Sequence, residues 1–123
     1  MTSTRSALRD LAVMLDAPRR PGVSLGNWRW SVRQKLAAVR NLLVNESAQH
    51  EDTWLAARGG MMLRERSALL TRFSILGSQV LEVEDVTLVR ADLERLVADA
   101  AHHLQRLHDL AYDEVELELG GSE

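Results

Sequence analysis

A chain of 123 residues, 46% hydrophobic and 27% charged, has the balance of a soluble globular protein and the length of one domain. The absence of cysteine excludes disulfides, thiolate metal ligation and thiol nucleophiles, and no apolar run approaches the roughly 20 residues that span a bilayer. The net charge is only -3. Asp10 and Asp16 interrupt the first apolar positions, so the N-terminus does not read as a signal peptide and a cytoplasmic location is expected.

Proline occurs only at 18 and 21, and Gly26 and the pair Gly59-Gly60 add further punctuation. Between these breaks the apolar residues recur at helical spacing, which predicts helices over about 4–16, 27–57, 61–81 and 86–117. The first places Leu8, Leu11 and Leu15 on one face, with Met14 beside it. The second is expected to be capped by Asn27. Its stripe of Trp28, Val32, Leu36, Val39 and Leu43 continues into Glu46, His50, Trp54 and Ala57. The third repeats Met62, Leu69, Phe73, Leu76 and Val80, with Gly77 beside that face, where it would permit close approach of a neighbour. The fourth turns Val89, Leu93, Leu96, Val97, Ala100, Leu104, Leu107 and Ala111 inward. Its tail, VELELGGSE, is expected to fray. Short connections between long amphipathic helices favour antiparallel neighbours. The fold expected is therefore all-α: a single-domain, up-and-down four-helix bundle over 1–123 with a shorter first helix.

Charge is unevenly spread. Residues 17–45 hold six bases and no acid, whereas residues 82–123 hold twelve acids and three bases. Within the basic stretch, GNWRWSVRQK places Trp28 on the inward stripe and Trp30 about 200° away from it on a helical wheel. Trp28 is then a core residue, and Trp30 either covers the preceding PRRPGVSLG loop or is exposed. Arg29, Arg33 and Arg40 fall on or near the outer side and would continue a basic surface from Arg19 and Arg20. That surface can be read as a phosphate-contacting patch with an aromatic for stacking. It can equally be read as a basic helix lying near the acidic fourth one. The acidic whole chain and the lack of a helix-turn-helix or RNA-binding signature make a nucleic-acid partner unlikely, and favour the second reading.

Polar residues on inward stripes form the second anomaly. Glu46 and His50 are four apart on one face, Arg66 breaks the third helix's apolar face with Glu65 beside it, and His103 sits at the margin of the fourth helix's face. Asp99 precedes His103 by one turn, Glu114 lies further along, His102 points away from the core and His108 takes the other margin. Carboxylates and imidazoles projecting inward from several helices can build a dinuclear metal site. The same residues can make a buried polar network in which Arg66 pairs with Glu46 or Glu114. The Glu-x-x-His pairs of di-iron bundles are missing, which favours the network. Asp99 and His103 could orient each other as an acid–base pair, but no nucleophile-elbow context or phosphate-binding loop accompanies them.

The segment HHLQRLHDLAYDEVELELGGSE resembles the ends of small, mostly uncharacterised bacterial helical-bundle proteins, some of them related to hemerythrin-like bundles. NWRW, followed by a long amphipathic helix and ARGG, is similar in kind. That resemblance implies a four-helix bundle and, where the ligand set is complete, a non-haem di-iron centre. This chain departs from the pattern: its first helix has no histidine, and Glu46 and His50 stand in the reverse of the family's His-x-x-x-Glu order.

Two functional readings follow. The first is a non-enzymatic bundle acting through protein–protein contacts, including self-association as a homodimer, with Trp30, Arg29, Arg33, Val115 and Leu117 at the contact. It needs no cofactor, catalytic residue or membrane. The second is a hemerythrin-like sensor or carrier holding iron or another divalent metal through Glu46, His50, Glu65 and His103.

Overall fold

The computed structural model describes residues 3–16, 24–49 and 60–121, with side chains described for 3–16, 24–45 and 60–109. Its elements are α1 (Thr4–Leu15), α2 (Leu25–Gln49), α3 (Met61–Glu82) and α4 (Val86–Gly121). Three of the four starts have a side-chain cap, and α3 begins after Gly60 without one. Ser3 caps α1, its side chain accepting from the Ser6 amide at 3.1 Å. Asp85 caps α4, its carboxylate accepting from the amides of Thr87 at 3.0 Å and Leu88 at 3.3 Å. Both satisfy first-turn donors that have no partner within the helix. The cap expected at Asn27 is instead Ser24. Its hydroxyl accepts from the Asn27 amide at 3.4 Å and its carbonyl from Trp28 at 2.9 Å, so α2 begins two residues earlier.

The helices form a closed circuit in which α1 lies beside α2 and α4, and α3 also lies beside α2 and α4. Polar contacts fix the directions. Lys35 reaches Asp10 while Trp28 reaches Met14, Arg5 reaches Gln105, and Arg72 and Arg106 meet Asp99 and Glu65. Every neighbouring pair is therefore antiparallel, as connections such as the three residues between α3 and α4 require. One consequence corrects the sequence reading: the basic helix α2 does not lie beside the acidic helix α4 but diagonally across from it.

The core joins all four helices. Leu8, Leu11 and Leu15 meet Trp28, Val32, Leu36, Val39 and Leu43, then Leu69, Phe73, Leu76 and Val80, then Val89, Leu93, Leu96, Ala100 and Leu104. Each fully buried side chain of this size contributes about 1.5–3 kcal/mol relative to exposure, so the short α1 holds its place with three leucines and Ala7. Met62 and Leu107 pack in a smaller cluster with Leu63. The α4 backbone stays helical to Gly121, past the expected end at Leu117. Arg5 on the first turn of α1 bonds Gln105, so the rest of α4, roughly 24 Å at 1.5 Å per residue, runs beyond the start of α1. Residues 50–57, expected to extend the second helix, are outside the described residues. Among the described residues no helix is long and apolar enough to cross a membrane.

Candidate functional site

The two tryptophans of GNWRWSVRQK have opposite fates. Trp28 is buried and its Nε1 donates to the Met14 carbonyl at 2.6 Å, tying the last turn of α1 to the first turns of α2. Trp30 is 53% exposed, with the Arg33 guanidinium 5.8 Å from its ring centroid. That distance is within cation–π range.

Arg29, between them, does not belong to the outward basic surface expected for it. Its guanidinium donates to the carbonyls of Val80 at 2.8 Å, Val83 at 2.6 Å and Glu84 at 3.4 Å. Carbonyls in the last turn of a helix lack amide partners within it, and a cation there also meets the negative end of the helix dipole. Arg29 thus closes α3 onto α2. Sequence spacing carries no sign of this role, because it depends on which helix end lies over α2.

Below Trp30 the seam between α2 and α3 opens into a groove of about 260 Å³. Its walls are Arg33, Ala37 and Arg40 on α2 and Ser74, Gly77 and Ser78 on α3, with Leu36 and Phe73 at its base. A methyl group added at Gly77 would meet nothing within 4 Å. The close helix approach expected there does not occur, and small residues leave the groove open instead. Leu81 (41% exposed) and Val44 (38% exposed) lie toward its two ends. No acid lines it. Arg40 is half-buried, with Nε shielded from solvent and no hydrogen-bond partner. Neither Arg33 nor Arg40 has an ion-pair partner among the described residues. A second cleft, of about 300 Å³ between α1 and α4, is lined by Arg5, Arg9 and apolar side chains. There Arg5 is already bonded to Gln105, which is itself bonded to Asp109.

Among the described residues, the inward polar side chains that come together are Glu65, His103 and Arg106. His103 is 1% exposed, and its Nδ1 lies 2.7 Å from Glu65 Oε1. Arg106 donates to the same oxygen at 2.6 Å. Burial pushes the Glu65 carboxyl up, but the hydrogen bonds and charges of Arg106 and His103 outweigh it and hold the group below its ordinary value. An ionised carboxylate only accepts, so the proton of the Glu65–His103 bond resides on Nδ1. Asp99 does not orient His103. It pairs with Arg72 at 2.8 Å, on the flank of α4 facing α3. His102 and His108 are exposed.

As a metal site the described part of this cluster is poor. Glu65 and His103 are brought together, but Arg106 places a positive charge on the carboxylate oxygen that would ligate. Among the described residues no three His, Cys, Asp or Glu side chains converge as a ligand set. Glu46, Glu114, Val115 and Leu117 lie on described backbone, but their side chains, like all of His50, are outside the described residues. Arg66 is half-buried on α3. Its expected pairing with Glu46 or Glu114 therefore falls outside what is described. Arg106 is the member of this cluster that sequence reasoning missed, although its place one turn after His103 was a usable signal.

No family model matches the chain, and neither does any curated protein or solved structure. Function must be read from the geometry.

Proposed function

We propose that this protein is a non-enzymatic helical bundle that acts through protein–protein contacts, pairing with a second copy across the α2–α3 groove. The observation that carries this reading is the exposed Trp30 indole stacked with Arg33, which lines an open groove with no acid among its described residues. Trp28 and Arg29, the two residues before it, tie the backbone to α1 and to the end of α3, so Trp30 is presented on a fixed backbone with less freedom to lose on binding. Rigid aromatics flanked by arginine are the residues that dominate protein interfaces. A face used by two identical copies closes into a symmetric dimer.

Size-exclusion chromatography with light scattering tests this directly. The expected result is a dimer in the micromolar range that Trp30→Ala weakens without changing the helical circular dichroism. A strict monomer at high micromolar concentration would overturn it.

A metal-binding reading, with iron or another divalent ion, draws on the Glu65–His103 contact and on the resemblance to hemerythrin-like bundles. It would require Arg106 to leave Glu65, and ligands such as Glu46 and His50 to join from α2 and beyond. Elemental analysis of protein purified without chelator, together with the shift of melting temperature on adding metal, separates the two. Stoichiometric metal would favour the second reading.

A further inference from the structure

Among the described residues, the charge asymmetry of the chain is not resolved within one copy. The basic helix α2 packs against α1 and α3, and the acidic helix α4 lies diagonally opposite. Lys35 finds Asp10 and Arg29 finds the end of α3, but Arg33 and Arg40 face an acid-free groove. The C-terminal stretch of α4, DEVELEL over 113–119, carries Asp113, Glu114, Glu116 and Glu118 with no base. In sequence, Glu116 and Glu118 stand between Val115 and Leu119, which are one helical turn apart. This stretch lies in the part of α4 that runs past the start of α1.

Taking the self-association above as the basis, we propose that the acidic end of α4 in one copy docks in the α2–α3 groove of a second copy. Glu114 and Glu118, one helical turn apart, would engage Arg33 and Arg40, and Val115 and Leu119 beside them would supply apolar contact. The dimensions agree. The α2 wall of the groove from Arg33 to Arg40 is about 11 Å of helix, comparable with the roughly 9 Å of the DEVELEL stretch at 113–119. The α1–α4 cleft is the weaker host, because one of its two arginines, Arg5, is already bonded to Gln105, which in turn donates to Asp109. Exchange of the same helix end by both copies gives a closed two-fold assembly, and opposed charges fix its register and raise the association rate.

Charge exchange in the full-length chain tests the proposal. One variant carries Arg33→Glu and Arg40→Glu, the other Glu114→Lys, Glu116→Lys and Glu118→Lys. Each alone sets like charge against like, and the dimer dissociation constant should rise at least tenfold. Mixed at equal concentration, the two should recover a 1:1 heterodimer, since each now complements the other. Raising salt to about 0.5 M should weaken the wild-type dimer, because exposed charges are then screened within a few ångströms.

If the groove variant loses its helical signal, the C-terminal variant and the salt series decide the matter by themselves. A dimer that Trp30→Ala weakens but that neither the C-terminal variant nor salt affects would overturn the docked segment while leaving self-association through the groove intact. A wild-type chain that is monomeric throughout would overturn both.

Discussion

Removing the Arg29 guanidinium should loosen the α2–α3 seam at the end where α3 hands over to α4. In Arg29→Met the stem is kept, so apolar packing changes little and the loss falls on the hydrogen bonds. Two of these, to Val80 at 2.8 Å and Val83 at 2.6 Å, are short, while that to Glu84 at 3.4 Å contributes little. Hydrogen bonds to charged groups are worth about 1.5–3 kcal/mol each when a partner is left dry. Here the site is only part-buried and water can reach the released carbonyls. An expected cost of about 2 kcal/mol follows. It should appear in urea unfolding as a lower midpoint at unchanged slope. Arg33→Met is the matched control, because Arg33 is exposed, stacks on the Trp30 ring and has no ion pair among the described residues; it should cost under about 0.5 kcal/mol. Equal effects of the two substitutions would refute the view that Arg29 caps α3.

Three further outcomes are expected. Gly77→Ala should raise stability by up to about 1 kcal/mol, since it removes glycine from a helix interior where the new methyl meets nothing within 4 Å; a lower melting temperature would contradict the open groove. Leu104→Ala should cost about 2–5 kcal/mol because it empties a central buried position, whereas Trp30→Ala should cost far less in the monomer, as denaturant titrations at low protein concentration would show. Because the Glu65 carboxyl is held below its ordinary value of 4.5, its stabilising contribution is complete above that value and is lost as pH falls through the lowered one. The advantage of wild type over Glu65→Gln should therefore shrink on acidification below about pH 4.5, measured as paired unfolding midpoints, and an advantage that grew would refute the ion-paired arrangement.

The all-helical architecture was legible because burial imposes a 3.6-residue period on any helix with one wet face. Leu8, Trp28, Phe73 and Leu104 all announce their inward positions by spacing alone, and each is buried. The inward lean of His103 was legible for the same reason. Spacing says which side of a helix is dry. It says nothing of which helix stands opposite, and the corrections at Arg29, Asp99 and Gly77 have that origin. Arg29 reads as one more outward base until the end of α3 is laid over it. Asp99 and His103 sit one turn apart on α4, yet face Arg72 and Glu65 at different levels of α3. Gly77 suggests a tight contact, but the helices meet deeper, at Leu36 and Phe73, and leave the space above it open. Two oppositely charged segments were expected to attract within one chain. The circuit of four antiparallel helices instead sets them on a diagonal, because each helix end must join the next through a short connection before charge has any say. The order of packing is decided by connectivity and burial, and only the folded bundle shows which charges that order sets side by side and which it sets apart.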